Sequence, residues 1–311
     1  MPTPRNAASS EYPLDEELFG PLGAATRKLC ADLTKDADKR EYRFVPNDEF
    51  AKISERQRAQ QIYWQEMLSR AHWAAMLNLL RHARWQTGCV AAYQPPGNFL
   101  SFTANLRGLI EAALDAQYSL GTFPMTLADN YTNIQTALQG KLNGALVSPE
   151  VEDLLIHFVY ARKLTKLDQG PITASHQALE PKGYRNGLDL PAEHRKRFGQ
   201  IYDDLCGFCH PTAIGLIPFW KTLPSGAVRI AVLDDRAAIK AFYDDHQETV
   251  QFALSLSVTT SALCLHTMNR FAFPDVRCDA IESWSFTDVP AWRKIEEKLD
   301  VATRGSPDSD V

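Results

Sequence analysis

The chain has 311 residues, of which 45% are hydrophobic and 23% are charged, and its formal net charge is −5. These values are those of an ordinary globular protein, so they exclude a disordered, collagen-like or disulfide-dense chain. The acidic balance excludes the global basic field that marks many nucleic-acid-binding proteins.

The sequence predicts three helices up to residue 120, and the pattern is weakest for the first of them. Residues 1–47 read as an N-terminal helical extension that is partly disordered, with a short helix at about 21–37. Apolar residues then recur at steps of three and four, which predicts a helix at 50–85 that Gly88 and the following prolines end. Asn98 is the expected N-cap of the next helix, at 99–120.

Two further helices are expected in the middle of the chain. A shorter polar helix is predicted at 126–141, and a stronger one at 149–166, capped by Ser148 and carrying Pro149 at its first position. Basic residues at its far end complement the helix dipole, namely Arg162, Lys163 and Lys166. Glycines and prolines make 168–190 mostly loop.

The second half of the chain alternates helix, hairpin and helix. Helices are predicted at 192–209 and 236–270, and a β-hairpin at about 216–233. The segment 274–311 is expected to hold a short helix and a disordered tail. The sequence therefore predicts a mainly α protein, with a helical bundle at 48–273, an N-terminal helical extension and one small hairpin.

The segment from Cys206 to His210 matches the C-x-x-C-H pattern of covalent haem attachment. That attachment is made outside the cytosol, and we find no apolar signal segment at the N-terminus. A zinc site needs four ligands and no second C-x-x-C occurs, while a thioredoxin-like pair belongs at the start of a helix. We therefore interpret Cys206 and Cys209 as small packing residues and expect neither metal nor cofactor.

The common catalytic signatures are absent from the sequence. It has no H-x-x-x-H, Glu-x-x-His, G-x-S-x-G, P-loop or G-x-G-x-x-G pattern. The longest apolar stretch, from Val250 to Leu265, is shorter than the ~20 residues that a membrane span requires. We therefore expect a cytoplasmic protein with no membrane partner, whose six cysteines are reduced.

Two pairs of polar residues lie at helical spacing. Arg107 and Glu111 are four residues apart beside an apolar stripe, and Tyr202 and His210 are eight apart, on one face if that helix persists. One interpretation is an acid/base or anion-holding cluster. The alternative is a buried hydrogen-bond network that fixes the register of the helices.

These four residues also carry a resemblance. The Arg-x-x-x-Glu helix, followed by a Tyr-x-x-Leu segment that ends in His210-Pro211, resembles a group of bacterial helical proteins similar to HEPN-like domains. The resemblance covers about residues 50–270 and implies a compact helical bundle that forms homodimers. It also implies the settings in which such domains occur, namely ribonuclease toxins, phage-defence effectors and inactive binding modules.

The ribonuclease chemistry does not follow from the resemblance. The catalytic HEPN pattern places an arginine four to six residues before a histidine, and none of the eight histidines of this chain has one. We therefore predict a HEPN-like interaction module in stress response or phage defence, a homodimer with a protein partner. The alternatives are a non-canonical ribonuclease using His210, or a purely structural helical protein.

A modest basic patch leaves contact with RNA open. The patch lies in the stretch 182–197, where two acidic residues interrupt it; we interpret it as a solvated helix face, with contact to RNA as the alternative. Its members are Lys182, Arg185, Arg195, Lys196 and Arg197.

Overall fold

The computed structural model describes residues 1–4, 11–165, 174–188, 190–210, 214–230 and 235–304. Its α-helices in chain order are α1 (Pro13–Phe19), α2 (Pro21–Thr34), α3 (Asn47–Phe50), α4 (Arg56–Tyr93), α5 (Phe99–Leu120), α6 (Phe123–Asp129), α7 (Tyr131–Leu138), α8 (Pro149–Tyr160), α9 (Pro181–Gly187), α10 (Ala192–Cys209), α11 (Asp235–Met268) and α12 (Pro290–Arg304). Short 3₁₀ turns lie at Ala37–Lys39, Ala174–His176, Ile214–Phe219, Pro274–Val276 and Asp279–Ser283.

Strands are few and short in the described residues. The segments β2 (Trp220–Thr222) and β3 (Val228–Ile230) form an antiparallel hairpin in which Trp220 is opposite Ile230. The N-terminal β1 (Thr3–Pro4) pairs with β4 (Trp284–Ser285), a contact between the two ends of the chain. The predicted fold class, mainly α with a small hairpin, is confirmed.

The long helices α4, α5 and α11 pack against one another and form the centre of the bundle. One group of buried side chains contains Trp64, Leu79 and Phe123, and a second contains Phe102 and Ile201. Burying such side chains contributes about 1.5–3 kcal/mol each, so these two groups dominate the packing energy. Within the described residues, no helix combines the length and the apolar character that a membrane span requires.

Helix α5 forms where the sequence predicts it. It spans Phe99–Leu120, and the Asn98 side chain accepts a hydrogen bond from the Ser101 backbone N–H at 2.9 Å, as an N-cap does. Helix α10 and the hairpin also lie within their predicted ranges.

Helix α4 is longer than predicted, because Gly88 lies inside it rather than after it. A Cβ at Gly88 would lie 2.1 Å from Oδ1 of Asn105, so the missing side chain lets α5 approach closely. The helix continues to Tyr93 and ends before the prolines.

The predicted helix 126–141 is wrong as a single element. Two helices, α6 and α7, meet at Asn130, whose side chain donates to the carbonyl of Thr126 at 3.0 Å. This local bond competes with the continuing helix. Pro124 occupies the first turn of α6, where a proline is tolerated.

The predicted helix 149–166 stops at Tyr160, and Ser148 makes no capping bond with its side chain. The chain turns extended because the backbone of Arg162 pairs with His176 and Ala178, at 3.0 and 3.1 Å. Lys166 lies outside the described residues.

The segment 168–190, predicted to be mostly loop, contains helix α9, which Pro181 begins. Residues 166–173 and 189 of this region lie outside the described residues, as do 5–10 and the predicted disordered tail from 305. The N-terminal segment supplies Leu18 and Leu29 to the core, where both are fully buried.

Candidate functional site

Helices α5 and α10 bring three of the four predicted polar residues together. Arg107 and Glu111 lie one turn apart on α5, on the edge of the face that buries Leu106 and Ile110. Tyr202 reaches them from α10, whose adjoining face buries Ile201 and packs against α5. The apolar faces of α5 and α10 pack against each other although the two helices are far apart in the sequence. This packing places the polar residues at the edges of the two faces side by side.

The three side chains form a closed triangle of hydrogen bonds, which we call the Arg–Glu–Tyr triangle. Arg107 Nε donates to Glu111 Oε1 at 3.0 Å, and Arg107 Nη2 donates to Tyr202 Oη at 3.0 Å. The Tyr202 hydroxyl in turn donates to Glu111 Oε1 at 2.8 Å. The guanidinium also lies 5.2 Å from the centre of the Tyr202 ring, within cation–π distance.

Electrostatics keep the triangle in one protonation state. Burial raises the pKa of Tyr202, and the adjacent Glu111 carboxylate raises it further. Burial lowers the pKa of Arg107, but the hydrogen bond and charge of Glu111 outweigh that effect and raise it. Tyr202 therefore remains a neutral donor and Arg107 a cation at neutral pH.

The triangle lies in the wall of an open cleft of about 800 Å³. The other walls come from α4, from the extended segments after α8 and before α9, and from α9 itself. Arg81 of α4 pairs in the cleft with Asp115 of α5 at 2.7 Å. Burial raises the pKa of Asp115, and the charge of Arg81 opposes this shift.

Trp85 of α4 forms a second wall of the cleft and lies directly over Gly108. A Cβ at Gly108 would lie 2.7 Å from the indole carbons Cε2 and Cζ2, so only glycine lets the ring rest there. The indole remains 37% exposed and presents an apolar face beside the charged groups.

His210 lies outside the triangle. Helix α10 ends at Cys209, and His210 is extended with φ −94° and ψ 156°, because the residue before a proline avoids the helical region. Its side chain is exposed and does not line the cleft. The spacing of eight residues from Tyr202 therefore does not bring the two side chains together.

The predicted basic patch is distributed over α9 and α10. Lys182 and Lys196 are exposed, and Arg195 is half-buried. Arg197 forms ion pairs with Glu193 and with Glu248. A Cβ at Gly199 would lie 3.1 Å from Nη1 of Arg185, so the guanidinium rests against α10. Two of the five cations are thus engaged within the protein, and contact with RNA stays a prediction.

The two cysteines of the C-x-x-C-H segment are half-buried free thiols. Cys209 Sγ lies 4.0 Å from the hydroxyl of Thr103 on α5. Among the described residues, no group of three or more His, Cys, Asp or Glu side chains is arranged to hold a metal ion.

Four further residues line the cleft that the sequence pattern did not predict there: Arg81, Trp85, Asp115 and Lys163. One signal was present, because Arg107, Glu111 and Asp115 follow one another at steps of four and share one face of α5. The other residues reach the cleft by tertiary packing, which no spacing along the chain reveals.

Comparison of the chain with protein families, with curated proteins and with solved structures gives no match. The HEPN-like resemblance therefore stays a prediction, and the functional proposal rests on the cleft.

Proposed function

We propose that this chain is a helical interaction module of the HEPN-like kind, serving bacterial stress response or phage defence, and that the cleft is its contact site for a protein partner. The observation that supports this proposal is the Arg–Glu–Tyr triangle in the wall of an open cleft of about 800 Å³. A cleft of this volume is in the range of small-ligand binding sites, so it is large enough to admit groups from a bound molecule.

The chemistry of the triangle favours binding over catalysis. Metal-independent RNA cleavage needs a base for the ribose hydroxyl and an acid for the leaving oxygen. Here Glu111 accepts from both partners, and the raised pKa of Tyr202 keeps its proton in place. His210, the histidine among the four predicted residues, lies outside the cleft.

The charges of the cleft favour a protein partner over a polyanion. Six charged side chains line it, three basic and three acidic: Arg81, Arg107, Lys163, Glu111, Asp115 and Glu180. Their formal charges cancel, so RNA gains little of the net attraction that drives its binding. A protein segment with mixed polar side chains finds both donors and acceptors there.

Arg107 keeps donors for such a partner. Its two hydrogen bonds use two of the five N–H groups of a guanidinium. The Arg107 side chain is 27% exposed, so the remaining groups can reach a carboxylate or carbonyl of a bound segment.

Photo-crosslinking in bacterial cells tests this proposal. We would place p-benzoylphenylalanine at Lys163, on the exposed rim of the cleft, and at Arg56, an exposed position at the start of α4, as the control. The expected result is a crosslinked protein from position 163 only, lost with Arg107→Ala and kept with His210→Ala. An absent crosslink, or a crosslinked species that ribonuclease degrades, would contradict the proposal.

A further inference from the structure

The outer face of α4 carries apolar residues that the bundle does not cover. Leu77 and Trp85 are each 37% exposed, and Leu80 between them is half-buried. Residues on the opposite side of the same helix, such as Leu79 and Gln86, are fully buried. The exposed positions therefore form a stripe along one side of the helix.

This stripe forms one wall of a groove of about 680 Å³, which we call the α4 groove. Phe158 and Val159, in the last turn of α8, form the facing wall. Arg81 lies between the walls with its guanidinium 4.8 Å from the centre of the Phe158 ring, and its charge is already paired with Asp115. The groove is thus mainly apolar, with Arg81, Arg84 and Asn105 as its polar lining residues.

The charge at one end of the groove is not compensated. Between residues 67 and 93, α4 contains arginines but no aspartate or glutamate. Arg70 pairs with Glu66 and Arg81 with Asp115, whereas exposed Arg84 has no ion pair within the part of the chain that the structure describes. Among the described residues Arg84 is therefore a cation without an ion pair, at the edge of a mainly apolar groove and on a chain whose net charge is −5.

We propose that the α4 groove binds an acidic amphipathic helix of a partner protein. This inference rests on the proposed function and specifies the chemistry of the partner. From Leu77 to Trp85 the groove is about 12 Å long, which matches apolar anchors at positions i, i+3 and i+7 of a bound helix. A carboxylate on the flank of that helix pairs with Arg84.

Two other occupants fit the groove less well. A second copy of the chain, docked through the same face, would place Arg84 of each copy in one basic interface with no acidic residue from this stretch of α4. RNA would leave Leu77, Leu80 and Val159 against a charged backbone, where apolar surface contributes nothing to affinity. An acidic amphipathic helix would bury the apolar wall of the groove and also pair a carboxylate with Arg84.

Fluorescence anisotropy with a synthetic peptide tests the proposal. The probe is a stapled, fluorescein-labelled helix of about 18 residues with leucine at i, i+3 and i+7 and glutamate on both flanks. A second peptide carries lysine at every glutamate position. We expect micromolar affinity for the glutamate peptide and about tenfold weaker binding for the lysine peptide.

Matched variants of the protein locate the binding site. Arg84→Glu is expected to weaken the glutamate peptide about tenfold and to strengthen the lysine peptide, and Leu77→Ser is expected to weaken both by about fivefold. Arg56→Glu, about 40 Å away on the same helix, and Leu100→Ser, a leucine 40% exposed on α5, are the controls and are expected to change nothing.

Several results would overturn the inference. These are absent binding of the glutamate peptide, equal affinity for both peptides, control variants as damaging as the groove variants, or a dimer of the protein that Leu77→Ser dissociates. Such a failure leaves the crosslink at position 163 untouched. A failed crosslink with intact peptide binding would refute the cleft proposal alone.

Discussion

Removing a single hydroxyl from the Arg–Glu–Tyr triangle is the sharpest test of its energetic role. Tyr202→Phe deletes one bond of 2.8 Å to Glu111 and one of 3.0 Å from Arg107, and keeps the ring and its cation–π contact. A hydrogen bond to a charged group contributes about 1.5–3 kcal/mol when buried. The side chains of Arg107 and Glu111 are 27% and 37% exposed, so solvent screens both bonds.

The direct bond between Arg107 and Glu111 also survives the substitution, at 3.0 Å. We therefore expect Tyr202→Phe to lower the free energy of unfolding by about 1 kcal/mol in urea titrations at pH 7. At ~2.1 cal/mol/K of unfolding entropy per residue, this corresponds to a fall in Tm of about 2 °C. Tyr160→Phe is the control, because that ring is 46% exposed and its hydroxyl has no hydrogen bond within the described residues.

The stability difference between wild type and Tyr202→Phe should depend on pH in one direction. Burial and the Glu111 carboxylate raise the pKa of Tyr202 above its ordinary value of 10.0. The contribution of the hydroxyl is therefore fully present below that value and is lost as the pH rises above it. The difference between wild type and Tyr202→Phe should shrink above pH 10. If Tyr202→Phe were no more destabilising than Tyr160→Phe at pH 7, the triangle would not contribute to stability.

Three further predictions concern stability, packing and association. Burial lowers the pKa values of His72 and His82 from 6.5 to about 3. The free energy of unfolding should therefore be highest above pH 6.5 and fall by about 2 kcal/mol per histidine by pH 5, because the unfolded chain binds protons that the folded chain does not. Unfolding at pH 5 without proton uptake would contradict this. Gly108→Ala should displace Trp85, destabilise the fold by about 1 kcal/mol and shift the tryptophan emission, whereas Gly144→Ala, whose Cβ meets nothing within 4 Å, should do neither. Sedimentation equilibrium should give twice the 34.9 kDa of one chain, and a mass of one chain would refute the expected homodimer.

The sequence predicted the elements whose signals are local. Helix α5 follows from its apolar period and from Asn98, which accepts the capping bond from Ser101. The end of α10 could also be predicted, because Pro211 disfavours a helical conformation at the preceding residue, His210. That signal already separated His210 from the face that carries Tyr202.

Other features depend on contacts between distant parts of the chain. Gly88 was interpreted as a helix end, but it lies inside α4, where its missing side chain leaves room for Asn105 of α5. Helix α8 ends at Tyr160 because the next residues pair with the backbone near Ala178. The ion pair of Arg81 with Asp115 joins two helices through packing, so the cleft could not be assembled from spacing alone.

Cleavage of RNA is the measurement that decides most directly between a binding module and an enzyme. Purified wild-type protein and His210→Ala would be incubated without metal with end-labelled RNA, and the products examined for 2′,3′-cyclic phosphate ends. Because the triangle is closed and His210 lies outside the cleft, both proteins are predicted to leave the RNA as intact as buffer does. Cleavage by the wild type that His210→Ala abolishes would contradict the proposed function.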